Sequence, residues 1–246
     1  MAFQTKVDRC GLSAIASTLL VRDDAYNGSN QVYQPNGGNG DILGVEPYGE
    51  SASPTNSYGI PSPGVSFAKD AVKLNAITVV GSKNFALESV AISTGPNAPT
   101  LSAVCKLIED AATAANQCVY KVPAFSISSK HHAQILFDAF TLGGTGANLT
   151  GCDAKIGCTV DVDDVEGTNI SSDAGGASIV VSGTILVNGS AVPTITPKSG
   201  WILTKSPHLT DTNPEAQWKN YSFELVLPLE KTEPTPPSNG QNPQST

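Results

Sequence analysis

From residue 72 onward, apolar and polar positions alternate in short runs bounded by Gly, Asn, Pro or Asp. A period of two places alternate side chains on opposite faces of an extended chain, so each run reads as a strand. The runs 72–80, 84–94, 99–108, 117–128, 131–142, 156–164, 176–188, 193–204 and 217–229 are predicted strands. Val, Ile, Thr and Phe dominate most of them, the residues that pack best on a pleated surface. One stretch, LSAVCKLIEDAATAANQ (101–117), fits two periods. Val104, Leu107, Ile108, Ala111, Ala112 and Ala115 have helical spacing, while Leu101, Ala103, Cys105 and Leu107 share one face of a strand.

A faint internal repeat decides between them. Residues 89–101 read SVAISTGPNAPTL and residues 181–195 read VSGTILVNGSAVPTI. Each is a β-rich run, a Gly/Asn turn, then Pro-Thr and an aliphatic residue. Each is followed by a Tyr-led alternating run, YKVPAFSIS from Tyr120 and YSFELVLPL from Tyr221. Self-similarity of this kind signals related units. The second copy carries Pro197 and Gly200, which a helix interior resists, so 99–108 is read as a strand. The GGTG at 143–146 separates a first β-unit, 71–143, from a second, 144–231.

Residues 1–70 have no counterpart in the repeat. Residues 11–21 (GLSAIASTLLV) form one apolar stretch, fit for a short helix or a strand. Its length matches the apolar part of a secretory leader, but Asp8 and Arg9 before it and Arg22-Asp23-Asp24 after it speak against one. Residues 22–66 are turn chemistry almost throughout, yet Tyr26, Val32, Tyr33, Ile42, Leu43, Val45, Tyr48, Tyr58 and Ile60 recur as apolar anchors. Such a segment reads as an extended arm lying on a neighbour, with Tyr26, Tyr33, Tyr48 and Tyr58 as candidate partner contacts. The alternative is a long ordered loop on the same subunit. Residues 232–246 are Pro-, Ser-, Asn- and Gln-rich without anchors and read as a solvated tail.

Composition narrows the partners. The 246 residues can bury a sizeable core. Charged residues are only 15%, with Ser, Thr, Asn and Gly in their place, and 17 Pro and 23 Gly favour turns. The net charge is −8, and 14 basic residues lie without a cluster. This excludes nucleic acid, whose binding needs Lys and Arg against phosphates, and an anionic membrane surface. No run reaches the length of a membrane-spanning helix.

Candidate chemistry is sparse. The five cysteines, Cys10, Cys105, Cys118, Cys152 and Cys158, are an odd number without zinc-ligand spacing and read as reduced thiols. The one local pair, Cys152 and Cys158, leaves a disulfide as the alternative. His131, His132 and His208 lack companions for a metal site. The acidic run from Asp161 fails the calcium-loop pattern, with Val165 and Glu166 at its fifth and sixth positions, and reads as a strand end and turn. There is no G-x-S-x-G elbow and no phosphate loop. Sequons at Asn27, Asn148, Asn169, Asn188 and Asn220 match chance in so Asn/Ser/Thr-rich a chain. Trp201 and Trp218 read as core positions, with sugar stacking as the alternative. No catalytic residue, cofactor-binding residue, cofactor or metal is predicted.

The whole chain resembles the virion structural proteins of tailed bacteriophages, of the tail-tube, connector or decoration type. The Asn/Gly-rich segment from Tyr26 to Tyr58, the units around Ala98-Pro99-Thr100-Leu101 and Val192-Pro193-Thr194-Ile195, the low charge and the Pro-rich end carry that resemblance. The expected fold is all-β, an antiparallel β-sandwich or barrel built from two related β-units with a long loop-rich N-terminal arm. The resemblance implies a non-enzymatic protein that self-assembles or packs with other virion proteins, made in a host cytoplasm and located in the virion. A secreted or cell-surface carbohydrate- or receptor-binding β-sandwich, with a glycan as partner, is the alternative.

Overall fold

The computed structural model describes residues 6–33, 46–95, 97–108, 118–130, 133–165, 168–210 and 217–232. The apolar stretch near the N-terminus forms one helical turn, α1 (Leu12–Ile15), followed by strand β1 (Leu20–Ala25). Gly11 precedes the turn with φ 76°, and a Cβ there would lie 2.3 Å from Thr78 Oγ1, so glycine is required on both counts. Leu12 and Leu19 are buried. Then come β2 (Gly28–Tyr33), β3 (Glu46–Ala52), β4 (Thr55–Gly59) and β5 (Gly64–Phe67). β1 pairs with β4, Leu20 opposite Gly59 and Ala25 opposite Thr55, and β4 pairs with β9 (Thr100–Ile108). Much of the segment expected as an arm is therefore built into the subunit's own sheet. Only β2 and β3 form a ribbon apart.

The predicted strand 72–80 breaks at Asn75, which takes φ 60° while its N–H donates to Leu87 O (2.7 Å). The break leaves β6 (Lys73–Leu74) and β7 (Ile77–Val80). β8 (Lys83–Thr94) and β9 form an antiparallel pair, with Ser93 opposite Thr100 and Asn84 opposite Ile108. Residues 101–108 are thus strand, with Leu101, Ala103, Cys105 and Leu107 buried; residues 109–117 lie outside the described ones. The predicted run 117–128 divides around Pro123 into β10 (Val119–Lys121) and β11 (Phe125–Ser128). In place of a strand over 131–142, the described residues 133–142 form strand only in β12 (Phe140–Gly143), although Leu136, Phe137 and Ala139 are buried.

The longest elements are β13 (Ala147–Val165) and β14 (Thr168–Asn188), a continuous hairpin. β15 (Thr194–Pro197), β16 (Ile202–Leu209), β17 (Trp218–Pro228) and β18 (Lys231–Thr232) complete the chain. The main sheet runs β1-β4-β9-β8-β13-β14-β17-β16, with β7 also on β8. It does not close into a barrel. Three small sheets, β18-β10-β6, β11-β5 and β12-β15, share one continuous core with it. Phe67 stacks on Phe125 (4.5 Å between ring centroids), Phe125 meets Phe137 (5.2 Å), and Phe140 of β12 meets Phe223 of β17 edge-on (5.0 Å). The expected all-β sandwich is the fold observed.

The two copies of the sequence motif pair differently. In the first, β8 and β9 are neighbours in one sheet. In the second, both flanks of β14 are already taken by β13 and β17, so the chain after Asn188 has no edge to join. It crosses to the second layer, where β15 pairs with β12. The predicted units also share a sheet, because β8 pairs with β13.

Candidate functional site

Three features project from this frame: an uncovered sheet face, a pair of ribbons, and a charged knot at the base of one ribbon. Alternation puts Val90, Ile92, Ala154, Ile156, Ile179 and Val181 into the core. Their neighbours Ala91, Ser93, Asp153, Lys155 and Ser182 are exposed on the opposite face. Register aligns them in rows: Ser102, Ala91, Lys155 and Val180 in one, Thr100, Ser93, Asp153, Ser182 and Glu224 in the next. Side chains here are short, so the face carries shallow depressions of about 490, 520 and 300 Å³. Asp153 is held by Ser93 Oγ (2.7 Å) and the Thr94 N–H (3.0 Å). The Lys205 bond (2.8 Å), then the Thr204 hydroxyl, keep the Glu224 carboxyl below its ordinary range.

On the same face Ser222 Oγ lies 2.8 Å from His208 Nε2, and His208 Nδ1 lies 3.2 Å from Ser206 O. A carbonyl only accepts, so in the neutral ring Nδ1 carries the proton and Nε2 accepts from Ser222. Sequence reasoning missed this pair because the residues meet only through the β16–β17 hairpin, where His208 stands opposite Ser222. The spacing suits a nucleophile and its base, but a backbone carbonyl, not a carboxylate, orients the ring. Ser222 stands between Thr184 of β14 and His208 of β16, beside a register irregularity at Lys205/His208. The arrangement is a hydrogen bond on the exposed face of the sheet. Among the described residues no group of three or more His, Cys, Asp or Glu side chains could hold a metal.

β7 occupies the flank of β8 at residues 83–86, beyond the stretch where β13 pairs with β8. The β13–β14 hairpin therefore leaves the sheet after an irregularity at Gly157/Thr159 and continues as a two-stranded ribbon from Thr159 opposite Gly175 to Val165 opposite Thr168. Strand therefore extends through 168–175, beyond the predicted run 176–188; residues 166–167 lie outside the described ones. Its base is tied down: Val160 packs on Ala86 and Ile108, Lys106 Nζ donates to Val160 O, and Tyr120 Oη donates to Ala174 O (2.8 Å). The β2–β3 ribbon touches the same region, since β3 contacts both β9 and β14.

Of the four tyrosines, Tyr26 and Tyr58 have described side chains. Tyr58, expected at a partner contact, is core: it is 3% exposed and its hydroxyl donates to Asp8 Oδ1 (2.6 Å). Burial first, and the Asp8 carboxylate second, push its phenol far up. Tyr26 is half-buried in the knot. Its hydroxyl donates to Glu50, Lys83 Nζ donates to both, and Arg9 and Lys83 lie 4.9 and 5.3 Å from its ring centroid. The Lys83 bond, then the Tyr26 bond, hold the Glu50 carboxyl below its ordinary range. Tyr33 and Tyr48 lie on β2 and β3, opposite Glu46 and Gln31; their side chains are outside the described ones.

Cys10, Cys105, Cys118, Cys152 and Cys158 form no disulfide. Cys152 and Cys158 stand six positions apart along β13, roughly 20 Å of extended chain, so the strand itself keeps them from pairing. Burial pushes their thiols up, to about 11 and about 12. Trp201 packs against Phe137 (5.8 Å), as a core position should, whereas Trp218 is 46% exposed. His131 and His132 lie outside the described residues. No protein-family model matches the chain, and no curated protein matches it.

Proposed function

We propose that this protein is a non-enzymatic structural building block that self-associates or packs into a larger particle, a virion component of the tailed-phage kind. The observation that carries this reading is the pair of β-ribbons, β2–β3 and the outer part of β13–β14, whose strands, among the described residues, pair only with each other. A two-stranded ribbon in water is marginally stable, so a neighbouring subunit is the natural source of its remaining packing. The uncovered, short-chained face of the main sheet supplies further contact area.

The sheet edges support association through faces and ribbons rather than through strand addition. β1 carries Arg22, Asp23 and Asp24 with an irregularity between Val21 and Asp23. β16 carries Lys205 and Pro207 with two irregularities. Charge, proline and bulges are the devices that block edge pairing. Mass photometry and native mass spectrometry from nanomolar to high micromolar concentration, with negative-stain imaging, test the proposal. Discrete oligomers or regular assemblies support it; a strict monomer with protease-labile ribbons refutes it.

A carbohydrate- or receptor-binding reading is favoured by one observation, the exposed Trp218. Glycan-array binding abolished by Trp218→Ala would establish it.

A further inference from the structure

We propose that Cys10 and Cys105 are a disulfide-forming pair, joined when the protein meets a disulfide oxidant, and that the bond staples the N-terminal segment to β9. Both side chains are buried in the main core, 3% and 0% exposed. Two neighbouring residues of β4 and its approach bring them together. Asn56 Oδ1 accepts from the N–H groups of Arg9 (3.0 Å) and Cys10 (3.2 Å), and its Nδ2 donates to Val7 O (2.8 Å). Two residues earlier, Pro54 O accepts from the Cys105 N–H (3.0 Å) and faces its thiol (3.7 Å). Asn56 stands opposite Ala103, which shares the core face of β9 with Cys105. The thiol of Cys10 beside it is the first cause, and burial the second, that drives the Cys105 thiol far up. Cys152 and Cys158, by contrast, are separated along one strand.

The exchange is balanced with a low-molecular-weight disulfide such as oxidised glutathione. One cysteine thiolate attacks a glutathione sulfur, the glutathione S–S bond breaks, and one reduced glutathione leaves. The second thiolate attacks the mixed disulfide at the protein sulfur, the Cys10–Cys105 bond forms, and the second reduced glutathione leaves. The two cysteines lose two electrons, glutathione gains them, and the two thiol protons end on the glutathione thiols. Because the thiolate is the nucleophile and both thiols are buried, exchange in the native protein is slow and quickens with pH. The N-terminal segment must open for the oxidant to enter.

The test is thiol counting and peptide mapping of the full chain after oxidised glutathione at pH 8, both native and refolded from denaturant in the same redox buffer. Refolding removes the access barrier. Cleavage after Arg9, Arg22, Lys83 and Lys106 yields peptides 10–22 and 84–106, each with one cysteine. The expected result is three free thiols in place of five and a linked 10–22/84–106 pair, absent under reduction and in Cys105→Ala. Five free thiols after refolding overturn the proposal. So does glutathione retained on Cys10 or Cys105, or either one bonded to Cys118, Cys152 or Cys158.

Discussion

Gly183→Ala is the sharpest test of the packing between the two layers. Gly183 stands on β14 opposite Cys152 on one side and Phe223 on the other. A Cβ there would meet two ring atoms of Phe223 at 2.4 Å and Gly151 O at 3.2 Å. Ordinary contact between carbons is about 3.5–4.0 Å, so the ring would have to retreat by more than 1 Å. It cannot do so freely, because Phe223 is 2% exposed and Phe140 lies 5.0 Å away on its other flank. Overpacking of this kind costs about 1–3 kcal/mol, offset by about 0.5–1 kcal/mol from the smaller backbone entropy of Ala in a strand. The net loss is about 1–2 kcal/mol, a Tm fall of roughly 2–8 °C for a chain of this size. Gly175 is the control: it is exposed on the same strand with nothing within 4 Å of its missing Cβ, so Gly175→Ala should be neutral or slightly stabilising. Differential scanning calorimetry of both variants, with Phe223→Leu added to Gly183→Ala to relieve the clash, reads the effect. A Gly183→Ala protein as stable as Gly175→Ala would refute the reasoning.

Other outcomes follow from single contacts. Tyr58→Phe removes a part-buried hydrogen bond to the Asp8 carboxylate and should lower stability in urea by about 1.5–3 kcal/mol, with the loss of amide protection concentrated in residues 7–19. Glu50→Gln should make the protein less acid-sensitive. The Glu50 carboxyl is depressed in the folded state, so its contribution is present above its ordinary value near 4.5 and is lost as pH falls through the folded value. Wild type and Glu50→Gln, compared by urea unfolding, should differ by under about 1 kcal/mol at pH 7, since Lys83 is 43% exposed, and that difference should shrink toward acid. Val160→Ala should cost about 1–2 kcal/mol and, by hydrogen exchange, loosen the β13–β14 ribbon while leaving β14–β17 protected, because Val160 packs in a small cluster apart from the main core.

How much of this was legible depended on where each strand's partners lie. The runs 84–94, 99–108 and 217–229 emerged nearly whole as β8, β9 and β17, because each is long, alternates cleanly and buries one face. β4 went unread because Thr55, Asn56, Ser57 and Tyr58 lack an aliphatic alternation. They are strand because β1 and β9 pair on either side, and Asn56 is buried because the N-terminal segment uses its amide. The run 193–204 looked continuous, but the turn around Lys198 and Gly200 divides it between the two layers. The Ser222–His208 pair was invisible for the same reason as β4: its members are brought together by register alone.

Local chemistry along the chain determined the all-β class and most strand positions. These follow from period-two patterning, turn residues and residue type, which act over a few positions and need no knowledge of the rest of the chain. Tertiary structure decided which strands are neighbours. It drew β1 and β4 into the main sheet, sent the two similar motifs into different layers, freed two ribbons from one end, and set Cys10 against Cys105. Those outcomes depend on which sheet edges remain open when each segment arrives, a property of the assembled fold that no short stretch of sequence carries.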